Sequence, residues 1–502
     1  MALVAPTGGP IQELLTMPKF QAPPATRDFL PREAAARNHV RSRLSRVAEA
    51  YGFQAVETPT FENVELFLAR SGPEIKSSML TFHCDHEEFA LRPEMTAPVC
   101  RLMASGLLDT AQGPHKLYYI APCFRYCRPR SGRRREFTQA GIECLGQSGA
   151  APDAEVIAAA CQILRSLGIE NFRLKIGNIG IFGGLLSADL DPDDRAVVIG
   201  HLDRLIAIDE KCHLVKKTGD RALLEELKID RMDLAALQAE SDYSGPHAIA
   251  GQHDAPADEW ADLLPLQAEA TFRRLWDVQQ LVPEQVSERL MRVSRLRGGL
   301  AHVHKEAEAL LHGTPATGAL DELLAVCRHA EMYELGDFEV VLGIARGFTF
   351  YTSTVFEISS AADNGGAKYC GGGRYDKLVE EFGGPSLPAT GCAFRFDSLV
   401  EGFMAGKQWS PPRPYQLYLL TGSGESYPAA VRLAENLRRS GIRVGIGTGD
   451  GGAVSAAECE RRGTEWIAAI PAPGGDGTMQ VSDGHETQVV AADAAALAKV
   501  VG

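Results

Sequence analysis

The chain has 502 residues, 45% of them hydrophobic, and a formal net charge of −14; this suits about three globular domains at ~150 residues each and disfavours nonspecific nucleic-acid binding over the whole surface. Its 11 cysteines are scattered without CxxC pairs or His/Cys clusters at zinc spacing, so neither a disulfide framework nor a metal site is indicated and a reducing cytoplasm is the expected compartment. Neither a run of ~18 apolar residues nor a basic region leading into an apolar core occurs, which argues against a membrane span or secretion.

After a Pro-rich lead-in, "ATRDFLPREAAARNHVRSRLSRVAEAYGF" sets Val40, Leu44, Val47 and Tyr51 at helical spacing, with Pro31 near the start and Gly52 at the end. "FQAVETPTFE" reads as a strand broken by Pro59, and "EEFALRPEMTAPVCRLMASG" as a strand running into a helix. Two further strands, "KLYYIAPCFRYC" and "REFTQAGIECLG", flank the Ser131-Gly132 turn signal and make a hairpin with an arginine-rich tip. From "DAEVIAAACQILRSLGI" to about Glu334 the chain is mostly helical, interrupted by the strand-like "FRLKIGNIGIF". Strands return at "FEVVLGIARGFTFYTSTVFEIS" and "AKYCGGGRYDKLVEEFGG", so the first domain is expected to be discontinuous around a helical insertion. A linker, "AGKQWSPPRPY", leads to strands "QLYLLTG", "IRVGIG" and "EWIAAIP" alternating with helices "SYPAAVRLAENLRRSG" and "AVSAAECERRG", the pattern of a small α/β domain with a partly parallel sheet.

Period-two alternation through "EFTQAGIEC" places Phe137, Gln139, Gly141 and Glu143 on one face of a strand. An amide and a carboxylate around a glycine make a floor for a small polar ligand, with Gly141 leaving room; the same pattern also fits a half-exposed sheet with a solvated polar face. Arg125 ends the preceding strand, while Arg128, Arg130, Arg133, Arg134 and Arg135 surround the turn, either as a solvated charge run or as guanidinium partners for phosphate. Glu94 and Thr96 stand ahead of an apolar helix, as ligand groups or as a helix cap. The glycines of "CGGGRY" let backbone approach a ligand or form a tight hairpin. His83, His86, His302 and His304 read as surface or packing residues, because no second set at metal spacing accompanies them.

The segments "ALRPEMTAP", "FRYCRPRSGRRREFTQAGIE", "ARGFTFYTSTVFE" and "GGGRYDKL", in that order, resemble the catalytic-domain signatures of histidyl-tRNA synthetase and its paralogue, the regulatory subunit of ATP phosphoribosyltransferase. The resemblance implies an α+β fold: a class II aminoacyl-tRNA synthetase-like antiparallel sheet with flanking helices over 25–195 and 336–405, preceded by an extension over 1–24. It also implies a helical insertion over 196–335, a linker over 406–414 and an anticodon-binding-like α/β domain over 415–502. "ETPTFE" with Pro59 resembles the dimer-forming first motif, which implies a homodimer.

By the same resemblance, Glu94, Thr96 and Gln139 would surround the ammonium and carboxylate of L-histidine, and Glu143 and Tyr351 its imidazole. Arg125 and Arg346 resemble the pair that holds the α-phosphate of ATP in the synthetase, and Arg133 would meet the outer phosphates. The pattern breaks in "PATGCAFRFDSLVE", where Ser398 stands for the third motif's arginine and Arg395 for a glycine; a serine does not replace a guanidinium. "RGFTFY" stands where "RGLDYY" is usual, losing an acid at Thr349 and a phenol at Phe350, and the basic and aromatic run of the last domain is missing.

These departures, together with "EFTQAGIE", "MTAP" and "LKIGNIGIFGGLL", which more resemble the paralogue, favour the histidine-binding regulatory subunit, acting in the first step of histidine biosynthesis with a catalytic phosphoribosyltransferase partner and with no permanent cofactor. The alternative is histidyl-tRNA synthetase, with ATP and magnesium as substrate and ion and tRNA(His) as partner. A third class is an amino-acid-sensing or tRNA-mimicking module with neither partner.

Overall fold

The computed structural model describes residues 21–70, 78–127, 134–187, 190, 195, 198–199, 282–344, 350–361, 367–406, 409–422, 426–448, 454–471 and 476–501. The chain divides into two compact units, Met1–Gln408 and Trp409–Gly502.

The first unit begins with helix α1 (Pro31–Ala50), whose opening proline fits a first-turn position that needs no amide donor. It ends at Gly52, which has φ +82. Short strands β1 (Gln54–Ala55) and β2 (Phe61–Asn63) lie on either side of Pro59 and join different sheets. β2, β3 (Leu80–Cys84) and β4 (Glu87–Leu91) form a three-stranded sheet in the order β2-β4-β3, with α2 (Val64–Arg70) between β2 and β3 in the chain. The chain continues through α3 (Thr96–Ala104), β5 (His115–Phe124), β6 (Glu136–Leu145), α4 (Ala150–Ser166), β7 (Phe172–Asn178) and α5 (Gly180–Leu186).

Beyond the residues outside the description come α6 (Glu284–Ser294), β8 (Arg297–Gly298), α7 (Leu300–Leu311), α8 (Thr317–Met332) and β9 (Phe338–Val341). β10 (Thr354–Ser360), β11 (Lys368–Arg374), α9 (Leu378–Glu381), β12 (Ala389–Arg395) and α10 (Phe396–Gly406) complete the unit.

The large sheet runs β1-β5-β6-β12-β11-β10-β7-β9-β8. Its central run from β5 to β7 is antiparallel, and only β1 with β5 and β7 with β9 pair in parallel. This is the antiparallel sheet with flanking helices that the sequence implied. Alternation sends Thr138, Ala140, Ile142 and Cys144 of β6 to the face covered by α4 and α10. Arg37 of α1 crosses to that side, donating to Thr138 Oγ1 at 2.7 Å and pairing with Asp397 at the start of α10. α8 lies against α4, α5 and β7, and Asn178 Nδ2 donates to Ala319 O at 3.0 Å.

On the opposite face, α3 delivers Met95, Val99 and Met103 onto Leu117 and Tyr119 of β5. Tyr375 and Leu378 close the same cluster from the far side of β11.

The three glycines Gly371–Gly373 lie inside β11, so neither a hairpin turn nor ligand approach explains all of them. A β-carbon on Gly372 would meet Gly391 O at 2.1 Å, and one on Gly373 would meet Thr354 O at 2.3 Å. Crowding by neighbouring strands demands glycine at these two positions.

In the second unit, β13 (Tyr415–Thr421) lies parallel to β14 (Val444–Thr448) and β15 (Thr464–Ile470). β16 (Thr478–Ser482) and β17 (Thr487–Ala491) extend the sheet antiparallel in the order β14-β13-β15-β16-β17. α11 (Tyr427–Arg439), α12 (Ala456–Arg462) and α13 (Ala494–Val501) accompany it. Leu417, Leu419, Leu433, Leu437, Ala468 and Leu497 build a core of their own.

Candidate functional site

The β5–β6 hairpin pairs Leu117 with Glu143, Tyr119 with Gly141, Ala121 with Gln139 and Cys123 with Phe137. On the other side of β6, β12 sets Gly391 against Glu143, Ala393 against Gly141 and Arg395 against Gln139. One face of the central strands is therefore nearly bare backbone around a carboxylate, and α3 walls one end.

Glu143 is 1% exposed. Thr96 Oγ1 and the Tyr119 hydroxyl each donate to its Oε1 at 3.1 Å, and the Tyr375 hydroxyl donates to Oε2. These hydroxyls favour the ionised form, but burial outweighs them, with a smaller push from Glu94, and the carboxyl is raised to about 8. Tyr119 and Tyr375 are themselves pushed well above the usual phenol value by burial and by Glu143, so they remain donors.

Glu94 stands two residues before the start of α3 and accepts from the amides of Thr96 at 2.6 Å and Ala97 at 3.0 Å. The cap reading left open by the sequence is thus realised. Burial raises this carboxyl too, while the two amides and the charge of Arg125 pull it back. Arg125 Nε donates to Pro93 O at 2.8 Å, and its guanidinium lies 5.3 Å from the Phe137 ring centroid.

Gln139 is half-buried and its Oε1 accepts from Cys123 Sγ at 3.4 Å. Tyr351 packs 4.8 Å from Phe350 between ring centroids, and Phe350 lies 6.0 Å from Tyr375. Glu94, Thr96, Gln139, Glu143, Arg125 and Tyr351 consequently belong to one connected neighbourhood. Arg133 and Arg346 lie outside the described residues, as does Thr349.

One expectation is corrected. The space above Gly141 is not left open, because a β-carbon there would stand 2.2 Å from the Tyr119 hydroxyl. The glycine admits a tyrosine, and the tyrosine supports Glu143. Tyr119 and Tyr375 were absent from the sequence-based site. For Tyr375 a signal existed in the "GGGRYDKL" segment, directly after an arginine that is buried and forked onto Asp153 at 2.6 and 3.2 Å. Ser398 is half-buried in the first turn of α10, and Arg395 is exposed at the end of β12.

A family model described as histidyl-tRNA synthetase matches residues 25–256 and 247–399. The histidine--tRNA ligase of Methanocaldococcus jannaschii is 34% identical over 387 residues, which cover 76% of this chain and 75% of that protein. That of Pyrococcus furiosus is 32% identical over 431 residues, 84% of each. Among solved structures, histidyl-tRNA synthetase from a Nostoc species superposes with a TM-score of 0.67 at 20% identity, covering 97% of this chain and 99% of that one. A Bacillus halodurans protein titled ATP phosphoribosyltransferase regulatory subunit/histidyl-tRNA synthetase gives 0.64 at 23% identity, covering 91% and 99%. At these identities the two structures share the fold.

The relatives overturn the preference for a regulatory subunit. That preference rested on short motifs and on local departures at Thr349, Phe350, Arg395 and Ser398 and in the last domain, whereas likeness to proteins named histidine--tRNA ligase extends over three-quarters of the chain or more. With it falls the expectation of a role in histidine biosynthesis beside a phosphoribosyltransferase. No described helix is long and apolar enough to cross a membrane.

Proposed function

Because this chain belongs to the histidyl-tRNA synthetase family, we propose that it is a histidine--tRNA ligase working in the cytoplasm. The carboxylate oxygen of L-histidine attacks the α-phosphorus of ATP, the bond to the β-phosphate breaks, and pyrophosphate leaves. A terminal adenosine hydroxyl of tRNA(His) then attacks the histidyl carbonyl carbon and AMP departs. Magnesium accompanies ATP as its counter-ion and offsets charge on the phosphates.

In this reading Glu143 receives the imidazole. Its carboxyl is held by hydroxyls from α3, β5 and the residue after β11, and this is the observation that carries the proposal. A carboxyl so fixed discriminates by position, because an amino acid without a polar ring leaves its remaining hydrogen-bonding capacity unmet in a buried setting. Glu94, Thr96 and Gln139 surround the amino and carboxylate groups, and Tyr351 closes the ring side. Arg125 lies near enough to Glu94 to lower its carboxyl and is assigned to the α-phosphate, where a fixed cation stabilises developing charge. Arg346 and Arg133 are assigned to the phosphates on their sequence motifs alone.

The extension over 1–24, the core over 25–195 and 336–405, the insertion over 196–335, the linker over 406–414 and the tRNA-binding domain over 415–502 complete the proposed organisation. The chain around Pro59 is assigned to a homodimer interface; Arg92 braces it by donating to Thr58 O at 2.8 Å and Pro59 O at 3.1 Å, and Phe61 and Phe82 are exposed beside it.

The test is histidine-dependent exchange of labelled pyrophosphate into ATP by the full-length protein. Robust exchange that is lost in Glu143→Gln is expected; absence of exchange in the native protein refutes the proposal.

A further inference from the structure

The row of β12 facing the site runs Gly391, Ala393, Arg395, set against Glu143, Gly141 and Gln139 of β6. A β-carbon on Gly391 would stand 1.7 Å from Glu143 Oε2, so that end of the row is backbone by necessity. The next strand continues the bare surface, with Gly373 against Gly391 and Gly371 against Ala393. The floor thus carries nothing larger than a methyl on β12 and β11 until Arg395, which alone in its row brings a long charged side chain. At a rise of ~3.3 Å per residue, Arg395 lies about 13 Å along β12 from Gly391. That is about the reach of a small amino acid laid end to end with a phosphate chain.

The two ends of this floor differ in charge. The Glu143 carboxyl stands at one end. At the Arg395 end, Arg125 follows β5 and lies against Phe137, which shares the face with Gln139. Among the described residues, Arg125 and Arg395 thus stand at the same end of neighbouring strands, in a chain whose net charge is −14. Among the described residues, an extended anion laid on the floor meets the guanidinium groups of Arg125 and Arg395 at this end.

We propose that Arg395 binds the polyphosphate of the nucleotide, supplying a cation that the serine at 398 does not. The assignment rests on the ligase reading for the identity of the nucleotide, and on strand register and charge for the residue. Guanidinium is suited to the task, because its planar fork makes paired hydrogen bonds to phosphate oxygens.

The experiment is calorimetric titration of the full-length protein with inorganic tripolyphosphate and, separately, with L-histidine. Arg395→Gln is expected to weaken tripolyphosphate binding by roughly tenfold or more while leaving histidine affinity within about twofold, and Arg395→Lys to recover part of the loss. The proposal is overturned if the native protein does not bind tripolyphosphate, if Arg395→Gln binds it as well as the native protein, or if both ligands are lost together. In the last case the residue supports the whole site and not its phosphate end. A native protein that binds tripolyphosphate through Arg395 yet exchanges no pyrophosphate would sink the ligase reading and leave this assignment standing.

Discussion

The hydroxyl of Tyr119 stands 2.2 Å from the point where a β-carbon on Gly141 would begin, with the Cys392 carbonyl oxygen 2.7 Å away on the other side. Neither neighbour has room to retreat, since Tyr119 is 1% exposed and its hydroxyl is held by Glu143. Gly141→Ala is therefore expected to cost about 1–3 kcal/mol of stability through overpacking. Histidine affinity should fall with it, as Tyr119 leaves Glu143. Urea unfolding and histidine titration of the same variant check both effects; unchanged affinity would separate the tyrosine from the ligand site.

Glu143 sets a pH dependence whose sign follows from burial. Its carboxyl is raised from 4.5 to about 8 in the folded protein, so folding favours the protonated form. The stabilising contribution is complete below the unfolded value and is lost as pH rises through the folded one. Across the window from about 4.5 to about 8, native stability should decline with pH relative to Glu143→Gln, which has no carboxyl to ionise. Parallel stability curves for the two proteins would contradict this.

Glu94 does structural work whatever else it binds. Replacing it with alanine removes the acceptor for the Thr96 and Ala97 amides in a buried setting, at a cost of about 1–2 kcal/mol. Glu94→Gln keeps one acceptor oxygen and should lose less. Because the proposed site also places Glu94 beside the ammonium of histidine, both variants are expected to raise KM for histidine in pyrophosphate exchange.

Arg374 and Asp153 form a forked, buried ion pair, with side chains 6% and 3% exposed. Arg374→Ala leaves the carboxylate buried without its cation, and a loss of about 3–5 kcal/mol is expected. Arg374→Met/Asp153→Leu should lose less than the single change, because no uncompensated charge remains. Denaturant midpoints of the two variants decide it.

The unit Trp409–Gly502 contains its own apolar cluster, drawn from strands and helices within it. A fragment starting at Trp409 is expected to unfold cooperatively by itself. A linear, noncooperative thermal melt would show that the cluster needs the rest of the chain.

That Gln139 and Glu143 share one face was legible in the sequence because β6 alternates, so face membership follows from spacing even though Phe137 and Thr138 blur the polar and apolar division. The sequence concealed Tyr119 because "KLYYIAPCF" is largely apolar on both faces, and two adjacent tyrosines give no hint which one points at Glu143. The glycines of β11 were ambiguous for a different reason. Their cause is the backbone of β12 and the Thr354 carbonyl, residues near in space and distant in the chain. The cap made by Glu94 was one of two readings open in "RPEMTAP", and only the amide positions distinguish a cap from a solvated acid. In the second unit, alternating strands and helices were evident, but β16 and β17 were missed because both are short and β17 is largely exposed.

Arg374 and Tyr375 are consecutive, yet they engage opposite sides of the sheet. Arg374 is fastened to Asp153, Asp376 and the carbonyl oxygens of Gln147 and Gly149, while Tyr375 reaches Glu143. Rotating the phenol away would strain an anchorage made on the far side. In the proposed reading the receptor is thus stiff before any guest arrives, so that little ordering entropy is lost on association and an oversized guest meets a wall that does not yield.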